Sequence, residues 1–274
     1  MKLFKNIIYV LISAVVLNSC ASSNKKEKET LTIREKPVLT KLPNLYIGSL
    51  EKNVVAKDGK DSTVLRYDFQ FFREPENIWQ DSINRLLGEN LFVFTSFEEN
   101  ARYEEDTLTL DYFVRQLDAY EQVYRDYEKE DIGINAVWTL DAKNTIDTST
   151  FNNFVQVSTF VAFYTGGAHP NTGLQYKILS KKDGHILKWQ EVVENPTEFA
   201  AFFERRFKKE QNITSDKQLK EDYFFENGKI VPSDNFEVKD NALVFYYNAY
   251  EIAPYASGII SVSVPLKKIK IKLN

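Results

Sequence analysis

The sequence predicts an α+β fold: antiparallel sheets with a few packed helices, arranged as two abutting subdomains. Three observations carry that expectation. Several runs alternate apolar and polar residues, as in "TVLRYDFQFF" at 63–72, which is the period of a half-buried strand. Other stretches switch to apolar residues three and four apart, the period of an amphipathic helix. Aromatic residues reach 14%, with 20 Phe and 15 Tyr, and such side chains favour sheets and broad packed surfaces. Antiparallel runs with a few helices to one side form an α+β arrangement rather than an alternating α/β one.

Taken in order, residues 44–56 and 63–72 read as two strands of a hairpin, with Asp58-Gly59 at its tip. "EPENIWQDSINRLLGENLF" then changes period. Trp79, Ile83, Leu86 and Leu87 make one helical stripe, and Gly88 is the expected stop. A longer helix is expected over 108–129, with Phe113, Leu117, Tyr120, Tyr124 and Tyr127 on one side as core rather than as a stacking platform. "INAVWTLDAKN" and "FVQVSTFVAFYTGG" resume as strands, the second with Val155, Val157, Thr159, Val161 and Phe163 on one face. "TGLQYKILSKKDGHILKW" reads as a hairpin turning at Asp183-Gly184, and 196–209 as a helix facing Phe199, Phe203 and Phe207 inward. "NFEVKDNALVFYYN" and "GIISVSVPL" close the chain as strands, with Ile260, Val262 and Val264 alternating against polar neighbours. No repeat of fixed period is visible. The expected division is 43–165 and 166–274, although no linker marks it.

The first residues have a different character. "MKLFKN" is positive, "IIYVLISAVVL" is an apolar run too short to span a membrane, and "NSC" follows. Residues 1–19 are therefore expected to be an export signal. Leu17-Asn18-Ser19-Cys20 resembles a bacterial lipobox, which implies that Cys20, the only cysteine, becomes a lipidated first residue. The alternative is an ordinary signal with a chance cysteine. Several acyl chains on one residue anchor a protein stably. Residues 20–42, polar and charged, are expected to be a disordered tether reaching about 25 Å. Together these features place the protein in the bacterial cell envelope, on an outer membrane or surface if the host has one.

The charge narrows the partners. The chain carries −4, and because Lys2 and Lys5 lie in the leader, the remainder carries −6. There is no basic stripe for nucleic acid, and an acidic protein more readily meets a basic partner. A single cysteine excludes an intrachain disulfide and a thiolate cluster.

Two loops stand out. In "TGGAHPNTG" (165–173), Gly166 and Gly167 permit a sharp reversal, His169 precedes Pro170 and so favours extended backbone, and Asn171 can bond locally. A shaped turn explains every residue. A nucleophilic triad lacks a G-x-S-x-G, and neither His169 nor His185 sits in a zinc spacing, so no catalytic residue, metal or cofactor is assigned. In "YYNAYEIAPYASG" (246–258), Tyr250, Ile252 and Tyr255 are dense and apolar, Glu251 lies among them, and Pro254 and Gly258 shape the return. Such a loop either caps the core or presents a rigid aromatic surface to a protein or glycan.

"FYTGGAHPNTG", "DGHILKWQEVV" and "NALVFYYNAYEIAPYASGIISVSVP" together resemble the extracellular domain of the RsiV anti-sigma factor family, a C-terminal domain of unknown function. About 60–165 resembles the domain before it in RsiV and in the peptidoglycan deacetylase PdaC. Pro170 stands where that family more often has Gly, which stiffens the turn. The RsiV cytoplasmic segment and the PdaC catalytic domain have no counterpart here, so neither sigma-factor control nor deacetylation is carried over. The resemblance implies a binding ectodomain, since RsiV binds lysozyme, a strongly basic protein. The expectation is thus a lipid-anchored binding protein for a lysozyme-like hydrolase or cell-wall glycan, through His169, Asn171, Tyr250, Glu251, Ile252 and Tyr255. The alternatives are a glycan-processing enzyme using Glu251 or His169 as acid or base, and a purely structural envelope component.

Overall fold

The computed structural model describes residues 15–16, 30–36, 42, 44–56, 59, 61–95, 108–130 and 138–273. Its first sheet contains β1 (Thr30–Glu35), β2 (Leu45–Val55), β3 (Ser62–Phe72), β4 (Thr139–Asp147), β5 (Phe154–Tyr164) and β6 (Asn171–Ser180), in that spatial order. Val15 and Val16 add a two-residue pairing outside β1, opposite Ile33 and Thr32. The rest of the expected signal, with Cys20, lies outside the described residues, as does Asp58 of the first turn.

Part of the expected tether is strand. β1 pairs antiparallel with β2 from Thr30↔Asn53 to Glu35↔Gly48. Its sequence "TLTIRE" alternates, and Leu31 and Ile33 pack against the core while the strand stays only half-buried. Two apolar residues between long charged runs are a weak periodic signal, which is why composition alone points to disorder there.

One junction departs from the antiparallel expectation. β3 and β4 run parallel, in register at Arg66↔Asp141, Tyr67↔Ala142 and Asp68↔Lys143. A parallel pair needs a crossover, and α1 (Ile78–Thr95) and α2 (Leu110–Glu130) lie between the two strands. Beyond three residue pairs, side-chain amides replace the ladder. Asn144 accepts from the Gln70 N–H (3.2 Å) and the Tyr67 hydroxyl (3.0 Å), and donates to the Gln70 carbonyl (2.8 Å). The Gln70 side chain in turn accepts from the Ile146 N–H at 2.8 Å.

Both helices cover one face of this sheet. Tyr67, Phe69 and Phe71 alternate inward from β3 and meet Phe113 of α2 at ring distances of 5.0, 5.0 and 5.3 Å. Leu117, Tyr120 and Tyr124 are buried beside it, so the tyrosine stripe is core; Tyr127 is more exposed but packs its ring against Trp138 at 5.0 Å. Gly88 does not stop α1, which continues to Thr95. Its carbonyl accepts from the buried Tyr112 hydroxyl at 2.9 Å, so the glycine marks a contact between the helices rather than an end.

The second sheet is β7 (Phe236–Lys239), β8 (Ala242–Tyr247) and β9 (Ile260–Pro265), with β8 central and all pairs antiparallel. β7 and β8 join through Asp240 and Asn241, both at positive φ (50° and 60°), the signature of a tight two-residue hairpin turn. Short α3 (Trp189–Val192), α4 (Pro196–Glu210) and α5 (Asp216–Asp222) accompany it. Asn195 caps α4 by accepting from the Glu198 N–H, and Phe199, Phe203 and Phe207 face inward, with Phe203 edge-on to Phe245 at 5.0 Å.

The two sheets form separate subdomains that are stitched by amides. β6 lies beyond residue 165 yet completes the first sheet, and its free edge meets the second subdomain. Asn248 accepts from the Leu174 N–H (2.8 Å) and donates to its carbonyl (3.1 Å). Asn235 accepts from the Tyr176 N–H (2.7 Å) and donates to the Leu174 carbonyl (2.7 Å). Gln156 of β5 does the same for Val238 of β7, at 2.6 and 3.2 Å. Each amide carries a donor and an acceptor, so each stands in for one residue of a neighbouring strand and leaves no edge open there.

Candidate functional site

The amide clamp at Leu174 brings the two glycine-containing loops together. The His169 ring stacks on Tyr255, with centroids 3.5 Å apart and planes 14° apart. The Tyr255 hydroxyl donates to the Pro170 carbonyl at 2.6 Å, across 85 residues of sequence. The Tyr250 hydroxyl lies 3.4 Å from His169 Nε2, and its ring centroid lies 5.6 Å from that of Tyr255. Three aromatic rings from two distant segments therefore form one patch.

Local chemistry holds each loop in place. Gly166 takes φ 85°, and the Tyr164 hydroxyl donates to the Gly167 carbonyl at 2.9 Å. On the other side, the Glu251 N–H donates to the Asn248 carbonyl, while the Glu251 carboxylate accepts from the Asn248 N–H at 2.8 Å. Tyr250 is forced to φ 67°, a left-handed conformation costing a non-glycine residue about 1–2 kcal/mol. Pro254 leads a short 3₁₀ turn, Tyr255–Ser257, closed by the Ser257 N–H onto the Pro254 carbonyl at 2.9 Å. Gly258 ends it at φ 63°, ψ −152°, a region open essentially to glycine. A Cβ built there meets nothing within 4 Å, so its cost is purely backbone. Gly258→Ala is therefore expected to lower stability by about 1–3 kcal/mol, read as a fall in the urea midpoint with unchanged slope.

The expected site residues do not all face outward. Tyr250 is 58% exposed and Glu251 is exposed, while His169 and Tyr255 are partly covered by their own stack. Asn171 is half-buried as the first residue of β6, opposite Phe163. Ile252 is the correction: it is only 6% exposed and lies in the second core. Its carbonyl accepts from the Phe224 N–H at 2.8 Å, so it pins the loop to the body.

That same bond brings up neighbours missed by sequence reasoning. A groove of about 480 Å³ is lined by Glu251 and Ile252 on one side and by Phe224, Val231 and Asp234 on the other. Phe224 and Val231 are 57% and 45% exposed, so the loop patch continues as apolar surface. The pair Phe224-Phe225 carries no period that tells which ring turns out. Phe225 turns in, against Phe207 at 5.3 Å.

One half-buried lysine lies near the groove's two carboxylates, Asp234 and Glu251. Lys177 donates to the Asp234 carbonyl at 3.1 Å. Burial pulls its ammonium below the ordinary lysine range, and the Asp234 and Glu251 carboxylates partly offset this. Burial, then Glu251, pushes the Tyr247 phenol up, so it stays protonated and donates to the Val231 carbonyl. Among the described residues, no three His, Cys, Asp or Glu side chains converge as metal ligands. What the arrangement offers is an aromatic patch with Tyr250 tilted against the His169–Tyr255 stack, an apolar shoulder and a held carboxylate.

Residues 183–267 match the family described as "Protein of unknown function (DUF3298)". The match begins just past β6, so the matched segment supplies Tyr250 and Tyr255, and a loop of the preceding sheet supplies His169. Two solved structures share the fold. A DUF3298 family member from Bacteroides fragilis is 19% identical with a TM-score of 0.57, over 84% of this chain and 94% of that one. A DUF3298 family protein from Pseudomonas aeruginosa is 18% identical with a TM-score of 0.54, over 85% of this chain and 95% of that one. No curated protein matches the chain.

Proposed function

We propose that this is a lipid-anchored envelope protein whose work is binding, with the His169–Tyr255–Tyr250 patch as its contact surface. The observation that carries the reading is the stack of His169 on Tyr255. It joins a loop of the first sheet to a loop of the second and leaves Tyr250, held at a strained φ, 58% exposed beside them. Rigid aromatic groups with few rotamers make strong contacts at low ordering cost. The partner is a basic hydrolase of lysozyme type or a cell-wall glycan. The charge of −6 after the leader and the carboxylate of Glu251 suit the former, and flat tyrosine faces suit either. Cys20, carrying acyl chains, holds the protein at a bacterial membrane.

Titration calorimetry of lysozyme into the chain from Ala21 onward tests this directly. That fragment keeps β1, which one starting at residue 41 loses. Saturable binding that weakens with added salt is expected. Absence of heat with both lysozyme and soluble peptidoglycan fragments, even at low salt, overturns the reading.

A further inference from the structure

A second surface lies away from the aromatic patch and has the opposite charge. Residues 194–210 and 266–272 hold eight basic against four acidic residues, a balance of +4, in a chain of −4; everything else therefore carries −8. The fold brings the two segments together. Glu194 N–H donates to the Lys270 carbonyl at 3.0 Å, Lys272 N–H donates to the Val192 carbonyl at 2.8 Å, and Val193 bridges Ile271. The strand-like alternation of "KIKIKL" turns Ile269, Ile271 and Leu273 toward the core and leaves Lys268, Lys270 and Lys272 in solvent.

Between this segment and the start of α4 runs a groove of about 540 Å³. Phe199, Phe202 and Ile269 form its apolar floor, and Arg205, Lys267, Lys268 and Lys270 stand on its rim. Glu194 and Glu198 line it as well. Glu194 engages Lys270 only loosely, at 3.9 Å with the lysine 82% exposed, so the rim cations keep most of their charge for a ligand. A cationic rim over an apolar floor matches an amphiphile with an anionic head. Lysine stems cover apolar surface while their heads reach water, the arrangement that seats a protein on a headgroup layer.

We infer that the groove between α4 and the C-terminal lysine segment is a contact site for an anionic lipid surface. The inference goes beyond the aromatic patch and is independent of what that patch binds. It gives the anchored protein a second attachment, which would orient the body on the membrane in addition to tethering it.

The test is co-sedimentation of the chain from Ala21 onward, which retains β1–β9 and α1–α5, with vesicles of phosphatidylcholine alone or mixed with phosphatidylglycerol. Binding to the mixed vesicles at low salt and none to phosphatidylcholine is expected. Each basic residue near an anionic surface strengthens binding roughly fivefold. The triple variant Lys267→Gln, Lys268→Gln, Lys270→Gln should therefore bind roughly a hundredfold more weakly, with an unchanged melting curve. Tyr255→Ala should bind the vesicles as the parent does. The inference is overturned if the parent shows no preference for the anionic vesicles, if the triple variant binds them equally well, or if Tyr255→Ala loses vesicle binding as severely as the triple variant.

Discussion

Tyr255→Ala is expected to weaken binding of lysozyme, the test partner, by roughly thirtyfold, the effect of removing an interface anchor worth about 2 kcal/mol. The substitution does two things at once. It takes away the ring on which His169 stacks, and it removes the hydroxyl that ties the second loop to the Pro170 carbonyl. Tyr255→Phe separates them: it keeps the ring but loses the tie, a neutral hydrogen bond worth about 0.5–1.5 kcal/mol. Its loss of affinity should be severalfold and smaller than that of the alanine variant. Neither change reaches a core residue, so both variants should stay folded, with stability lowered by about 0.5–1.5 kcal/mol in Tyr255→Phe and somewhat more in Tyr255→Ala. Calorimetry with the two variants side by side reads the difference. Equal affinities for parent and Tyr255→Ala would remove Tyr255 from the contact surface.

The second large effect is on stability. Asn144→Leu is expected to destabilise the fold by about 3–5 kcal/mol. Leucine has the same number of side-chain heavy atoms, branched in the same place, but offers no donor or acceptor. The substitution leaves the Gln70 N–H, the Gln70 carbonyl and the Tyr67 hydroxyl without their partner at the parallel junction. Tyr67 is 1% exposed, so water cannot readily replace it. Each buried group left unpaired costs about 1–3 kcal/mol. Gln70→Leu releases only the Ile146 N–H and should cost about 1–3 kcal/mol. Urea unfolding of the two variants gives the ranking. A loss below that of Gln70→Leu would show that the junction is held by packing, not by the amides.

The sequence made the regular elements legible where one period ran long enough. β3, β5, α2 and α4 each show several turns or alternations, and apart from the exposed Tyr127 of α2 their inward faces are as expected. Short or irregular signals were not legible. β1 has two apolar residues in six, and its pairing depends on β2 supplying an edge. The run through Gly88 depends on Tyr112 of another helix. The parallel β3–β4 junction is invisible locally, because direction is set by the crossover and not by the strands themselves.

The candidate site shows the same boundary. That the two loops are rigid and aromatic follows from their glycines, prolines and tyrosines. That they meet does not, because the juxtaposition is built by Asn248 and Asn235 reaching the edge of β6. Loops also lack the period that sorts inward from outward residues. Ile252 and Phe224 are each other's neighbours, and each faces the way its own sequence context leaves open: the isoleucine in, the phenylalanine out.

The most direct measurement of the central claim is hydrogen–deuterium exchange of the chain from Ala21, with and without saturating lysozyme. The two-loop surface predicts that amides in 165–173 and 246–258 gain protection together, with Phe224 and its neighbours following. Protection confined to other segments, with both loops exchanging as in the free protein, would contradict it.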